Sequence, residues 1–196
     1  MKAAKFFLSV VVFVGLAACS TTGGDVVVSR SDDLSSRPSW AKEAESFKIE
    51  DGTVYSLGTT TISADSRIEA GYRIAENNAK GAIASAIEQR LNYIFQNAEE
   101  GTELDARQTR FIGAEFTKLT TSSIRPGGRY WEKVATTDAN GQKKLIYRVY
   151  ARVSMPEEDF KKAIFDAIRR AQGKVGLSQD FAQKVDQHWN EFVTGE

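Results

Sequence analysis

The chain predicts an α+β fold: a small antiparallel sheet of about three strands packed against a long amphipathic helix, with additional helices at the C-terminal end. Two observations carry this reading. The first is Asn140-Gly141, set between the β-rich runs Tyr130–Thr137 and Lys144–Val153, because both residues tolerate the positive φ of a tight hairpin turn. The second is the recurrence of Ile68, Tyr72, Ala75, Ala79, Ile83, Ala86, Ile87, Leu91 and Ile94 at three- and four-residue spacing. That spacing is one stripe of an α-helix.

The remaining elements follow in order. Val54 to Ile62 is rich in Thr and β-branched residues and reads as a strand. Ser66 and Glu69 have the spacing of a capping box at the start of the long helix. Its middle is rich in alanine (Ala75, Ala79, Ala82, Ala86), which allows close approach to a sheet. Thr102 is placed to cap a second helix bearing Leu104, Phe111, Ala114 and Leu119. Pro126-Gly127-Gly128 reads as the turn into the Tyr130 strand.

A two-residue turn at Asn140-Gly141 sets Trp131 opposite Tyr150 and Val134 opposite Tyr147. The core face of the 130–153 hairpin is then Tyr130, Val134, Tyr147, Val149, Ala151 and Val153. The other face carries Trp131, Lys133, Ile146, Arg148, Tyr150 and Arg152. A longer loop with a bulge at Gly141 shifts this register. Ser154 and Glu157 repeat the capping-box spacing, with Pro156 in the first turn where its missing N–H costs nothing. Phe160, Ile164, Ala167, Ile168 and Ala171 follow as a stripe ending at Gly173. Ser178 then caps a last helix with Phe181, Val185, Trp189 and Phe192 on one side.

The N-terminus has the three parts of a secretory signal. Lys2 and Lys5 precede an apolar run from Phe6, and Ala17-Ala18 supply small residues at a cleavage site. Phe6 to Ala18 is 13 residues, short of the roughly 20 that span a bilayer. Leu16-Ala17-Ala18-Cys19 resembles the lipobox of bacterial lipoproteins, in which cleavage precedes the cysteine and the thiol carries a diacylglycerol. Cys19 is the chain's single cysteine, so it has no disulfide partner within the chain. Acylation would consume a thiol that is otherwise a liability in an oxidising compartment. Two or more acyl chains anchor stably where one does not. Ser20, rather than Asp, follows the cysteine; among lipoproteins this implies release to the outer membrane.

The domain organisation expected is therefore a signal peptide over 1–18, the lipidated Cys19 with a flexible linker over 19–37, and one α+β domain over 38–196. Ser20 to Arg37 is rich in Ser, Thr, Gly and Asp and as a free chain spans on the order of 25 Å. Val26-Val27-Val28 is its one apolar patch, readable as a short edge strand but more simply as part of a loose tether.

Removing residues 1–18 leaves 178 residues with 24 basic and 26 acidic side chains, enough for one domain with a core. The near-neutral balance speaks against nucleic acid, whose binders show a strong basic excess. Eleven Phe, six Tyr and three Trp supply apolar mass.

Pro38-x-Trp40, the Tyr55-x-x-Gly58 strand, the alanine-rich helix, the Trp131 strand and Tyr147-x-x-Tyr150 follow one another in an order that resembles the LPP20 lipoprotein family. The resemblance covers about residues 38–172. It implies a small α+β core in a bacterial envelope lipoprotein, of a family in which some members accompany the flagellar outer-membrane apparatus. It implies no catalytic residues.

The search for chemistry is short. His188 is the only histidine and lacks the His-x-x-x-His spacing of a zinc helix; a packing or surface role suffices. No Gly-x-Ser-x-Gly elbow is present. Glu99, Glu100, Glu103 and Asp105 cluster between two helices, where solvated loop charges explain them better than paired catalytic carboxylates. Gly113-Ala114 and Pro126-Gly127-Gly128 lack phosphate-loop spacing. One surface remains: Trp131, Lys133, Arg148, Tyr150 and Arg152, suited to a glycan, an acidic partner or a second copy. The same pattern also fits a stabilising cross-strand pair with solubilising charges, or a face covered by another part of the chain.

These observations point to a non-enzymatic envelope module, anchored to the outer membrane through Cys19 and facing the periplasm, that assembles with envelope proteins or with itself. No cofactor, metal or nucleic acid is expected. The alternative is a periplasmic module that binds a small ligand or glycan in an aromatic pocket around the sheet.

Overall fold

The computed structural model describes residues 25–43, 45–97, 106–120 and 122–194. Its strands are β1 (Val26–Arg30), β2 (Phe47–Glu50), β3 (Thr53–Ser63), β4 (Arg125–Thr137) and β5 (Lys143–Pro156). Its helices are α1 (Ile68–Asn97), α2 (Ala106–Thr120), α3 (Glu157–Val175), α4 (Phe181–Gln187) and α5 (Trp189–Thr194). All strands join one antiparallel sheet in the order β1-β4-β5-β3-β2.

The α+β class agrees with the sequence reading, but the sheet has five strands rather than about three. The two additional strands are the short edges. β2 folds onto β3 across Asp51-Gly52, both at positive φ (49° and 69°) with Glu50 opposite Thr53. This is the two-residue turn that an Asp-Gly pair signals. β1 lies within the stretch expected to be a tether. Its three valines have the β-branched shape that fits a pleated surface, and β4 offers it an unpaired edge, with Val26 opposite Ala135 and Val27 opposite Val134. A bulge before Ser29 breaks the alternation, so no period-two pattern marks this strand in the sequence.

Asn140-Gly141 does sit in the β4–β5 turn, but the loop is longer than two residues. Asp138 and Gln142 pair through a 2.9 Å backbone bond, the Gly141 amide donates to the Asp138 carbonyl, and Gly141 alone takes positive φ (78°). The Asp138 carboxylate accepts from the amides of Asn140 and Gln142, which favours this wider turn. The register therefore moves by one residue: Tyr130 faces Tyr150, Trp131 faces Val149 and Val134 faces Ile146. Since side chains alternate along a strand, a one-residue slip reassigns the faces. Pro126-Gly127-Gly128 is part of β4 rather than a turn before it, with a bulge at Gly127 between Pro126 and Gly128.

One face of β5 presents Val149, Ala151, Val153 and Met155 to the helices. Across it runs α1, 30 residues and so about 45 Å long. Ala75, Ala79, Ile83, Ile87 and Leu91 are fully buried along its predicted stripe. The alanines bring it close enough that Gly58 of β3 has no room for a side chain: a Cβ there would lie 1.9 Å from the Ala75 carbonyl oxygen. Beyond the sheet, α1 continues into a cluster with α2, α3, α4 and α5. Phe160 is its hub, 5.4 to 6.3 Å from the rings of Phe47, Phe116, Trp189 and Phe192. Each such pair contributes about 0.5–1.5 kcal/mol beyond area burial.

Several helix details differ from expectation. In α2 the buried stripe is Thr109, Ile112, Gly113, Glu115, Phe116 and Thr120, and Ala114 is exposed. Glu115 is buried because Lys118 and Arg170 neutralise it at 2.7 and 3.1 Å, a pairing that hydropathy cannot register. Ser154 pairs with Tyr55 in the sheet and caps nothing. Instead Glu157, Glu158 and Asp159 complement the start of α3. That helix passes Gly173 and ends at Gly176, whose φ of 70° supplies the left-handed cap. The last helix is split in two around His188, and Arg90 from α1 donates to the carbonyls of Phe192 and Val193. Thr102 and Leu104 lie outside the described residues.

Candidate functional site

The five residues expected on one outward face are divided between the two faces of the hairpin. Trp131 and Lys133 lie on the helix side. There the Trp131 ring meets Tyr147 edge-on at 5.2 Å, and Lys133 sits 5.8 Å above the same tyrosine. Ile62, Ile68 and Tyr72 pack around them with Ala75, Val149 and Ala151. Arg148, Tyr150 and Arg152 lie on the opposite side, which residues 37–41 cover. Trp40, Ala41 and Leu57 pack on Tyr130 and Tyr150.

That covered side is held by Glu132, which the sequence reading did not single out. Its side chain is 2 % exposed. The Arg37 guanidinium donates to both of its oxygens, at 2.6 and 3.3 Å, and the Tyr130 hydroxyl donates at 2.9 Å. Arg30 approaches to 3.5 Å. Burial pushes the Glu132 pKa up, but Arg37 and the Tyr130 hydroxyl outweigh it and hold the carboxyl below its ordinary value. Burial, then the neighbouring carboxylate, pushes the Tyr130 phenol up to about 12. Arg37 also stacks 4.7 Å over Tyr150, and Arg152 lies between Trp40 at 5.5 Å and Tyr55 at 4.8 Å. The carboxylate is thus occupied by structural partners. A buried acid cannot be told from a surface acid by residue type; its place two residues from Tyr130, on the core face expected for that strand, was the available signal.

Other candidates resolve simply. His188 lies between α4 and α5 with its Nδ1 3.1 Å from Glu191. Gly113 is a buried helix position against Glu88 of α1 rather than a phosphate loop. Cys19 and the carboxylates Glu99, Glu100, Glu103 and Asp105 lie outside the described residues. Among the described residues no three His, Cys, Asp or Glu side chains gather as a metal-binding group. No described helix is long and apolar enough to cross a membrane.

The uncovered part of the sheet is its hairpin end. α1 begins only at the Tyr147 row, so the next row, Val26 of β1, Ala135 of β4 and Leu145 of β5, has no helix over it. Val26 is 61 % and Leu145 45 % exposed. An open groove of about 820 Å³ runs there, lined by Ile62, Ala64, Leu145 and the lysines Lys133, Lys143 and Lys144. Comparison with known protein families and with characterised proteins finds no match.

Proposed function

We propose that the protein is an outer-membrane lipoprotein of the LPP20 kind, anchored through Cys19, that serves as a non-enzymatic structural or assembly module of the periplasmic envelope. The observation that carries this reading is Leu16-Ala17-Ala18-Cys19 at the end of a 13-residue apolar run. The place of β1 adds to it. Val26 lies seven positions after Cys19, and there the chain is already hydrogen-bonded into the sheet. At about 3.5 Å per residue the fold lies within about 25 Å of the acylated cysteine. Such a module is held against the bilayer rather than swung on a long tether, as suits a fixed place in an assembly.

The aromatic residues support assembly over glycan binding. Tyr130 and Tyr150 are buried against Ala41 and Arg37, and Trp131 packs edge-on against Tyr147, so these rings are engaged within the fold. Replacing Cys19 with Ser is expected to abolish acyl labelling and detergent-phase partitioning. Unchanged membrane association of that variant would overturn the anchor. Isolation of the native complex from detergent-solubilised membranes tests assembly: a defined envelope partner or a homo-oligomer is expected, and a monomer carrying a small molecule would contradict it.

A further inference from the structure

We propose that the hairpin end of the sheet is a docking surface for anionic phospholipid headgroups, which sets the domain on the membrane in one orientation. The proposal rests on Cys19 being the lipid anchor. Three features converge on this end. β1 runs antiparallel to β4 and begins opposite Ala135, so the chain from Cys19 enters the fold beside the β4–β5 turn. An anchor within about 25 Å of Val26 keeps that end nearest the bilayer.

The second feature is charge. Lys133, Lys143 and Lys144 line the groove, and Lys143 and Lys144 are exposed and make no ion pair among the described residues. Of the acids at this end, Asp25 is neutralised by Arg148, whereas Asp138 and Asp65 keep their charge; within the groove the three lysines outnumber its one carboxylate, Asp65. Attraction between these lysines and an anionic surface acts over a Debye length of about 8 Å.

The third is exposed apolar area at the same end. Val26, Val28 and Leu145 are 61, 57 and 45 % exposed. Apolar side chains bordered by lysine suit the boundary between phosphate and acyl chain, where the ammonium stays with headgroups and the stem with the apolar layer. An acidic protein would satisfy the lysines but would not explain why the tether starts beside them.

The test uses the full chain reconstituted into phosphatidylcholine vesicles with or without phosphatidylglycerol, carrying a headgroup-level fluorescence quencher. A fluorophore is placed at Gln142→Cys in the turn or at Gln183→Cys in α4, each with Cys19 intact and with Cys19→Ser. Quenching at 142 well above that at 183, and only with phosphatidylglycerol, is expected. Each lysine near an anionic surface contributes a factor of about 5 to the docking equilibrium constant, so Lys133→Gln, Lys143→Gln and Lys144→Gln together should lower that constant on the order of 100-fold. Equal quenching at the two sites, or quenching indifferent to phosphatidylglycerol, overturns the docking surface. Mass analysis of Cys19 in the same samples keeps the two ideas apart. Docking without acylation removes the anchor and leaves the surface standing, and acylation without docking does the reverse.

Discussion

At Glu132 a carboxylate is almost withdrawn from water and survives because two arginines and a tyrosine hydroxyl surround it. Its contribution follows from its pKa. A carboxyl held below its ordinary 4.5 stabilises the fold above that pH, and the increment is lost as pH falls through the lowered value. Glu132→Gln removes the charge and leaves Arg37 and Arg30 facing a neutral amide. The arginine side chains are 31 and 29 % exposed, so water moderates the cost, to about 1–3 kcal/mol in urea unfolding at neutral pH. The variant should also lose part of the decline in stability below pH 4.5. Parallel pH profiles of the two proteins would show that Glu132 is not the titrating group. None of this was legible from residue identity, because Glu132 becomes buried only once residues 30–41 fold back over β4.

The contact between α1 and β3 belongs to the next scale. The alanine stripe is readable in the sequence, and so is the consequence that a sheet approaches closely. What faces it is not. Gly58 is the residue at which backbone meets backbone, with the Ala75 oxygen and the Ala79 nitrogen 1.9 and 2.4 Å from where a Cβ would stand. Gly58→Ala must therefore push the helix off the sheet and should cost about 3 kcal/mol or more. Gly81 lies on the same helix with nothing within 4 Å of its Cβ position, so Gly81→Ala should stabilise by about 0.5–1 kcal/mol. Thermal melts of both variants test this, and a Gly58→Ala protein as stable as the parent would mean that α1 shifts off β3 without cost. The turn at Asn140-Gly141 shows the same division. The turn is written in two residues, but its length depends on the Asp138 carboxylate capping two amides.

Across the whole molecule, α1 is shared by two clusters, Ala75 with the sheet face and Ala79 through Leu91 with the helices. The three tryptophans are distributed over the three clusters: Trp40 on the covered face, Trp131 on the helix face of the sheet, Trp189 among the C-terminal helices. Variants retaining one tryptophan, the others changed to Phe, report each region separately. Trp131 and Trp189 should unfold at one midpoint together with far-UV circular dichroism, because neither cluster closes without α1. Separate midpoints would show that the helical cluster folds independently of the sheet.

Local chemistry by itself determined the α+β class, the long helix and its buried stripe and the place of the β4–β5 turn, since each is set by spacing or residue type within a short segment. Even the β2 turn was written locally, as Asp51-Gly52. Tertiary structure decided the hairpin register, hence the division of Trp131 and Lys133 from Arg148, Tyr150 and Arg152. It also decided the recruitment of Val26–Arg30 as an edge strand and the burial of Glu132 and Glu115. The physical reason is common to these. The edge pairing of β1 and the neutralised buried charges depend on partners 55 to 109 residues away, and the hairpin register on how the Asp138 carboxylate closes the turn; residue type encodes neither. By the same folding, the sheet starts at Val26, seven positions after the cysteine proposed as the anchor.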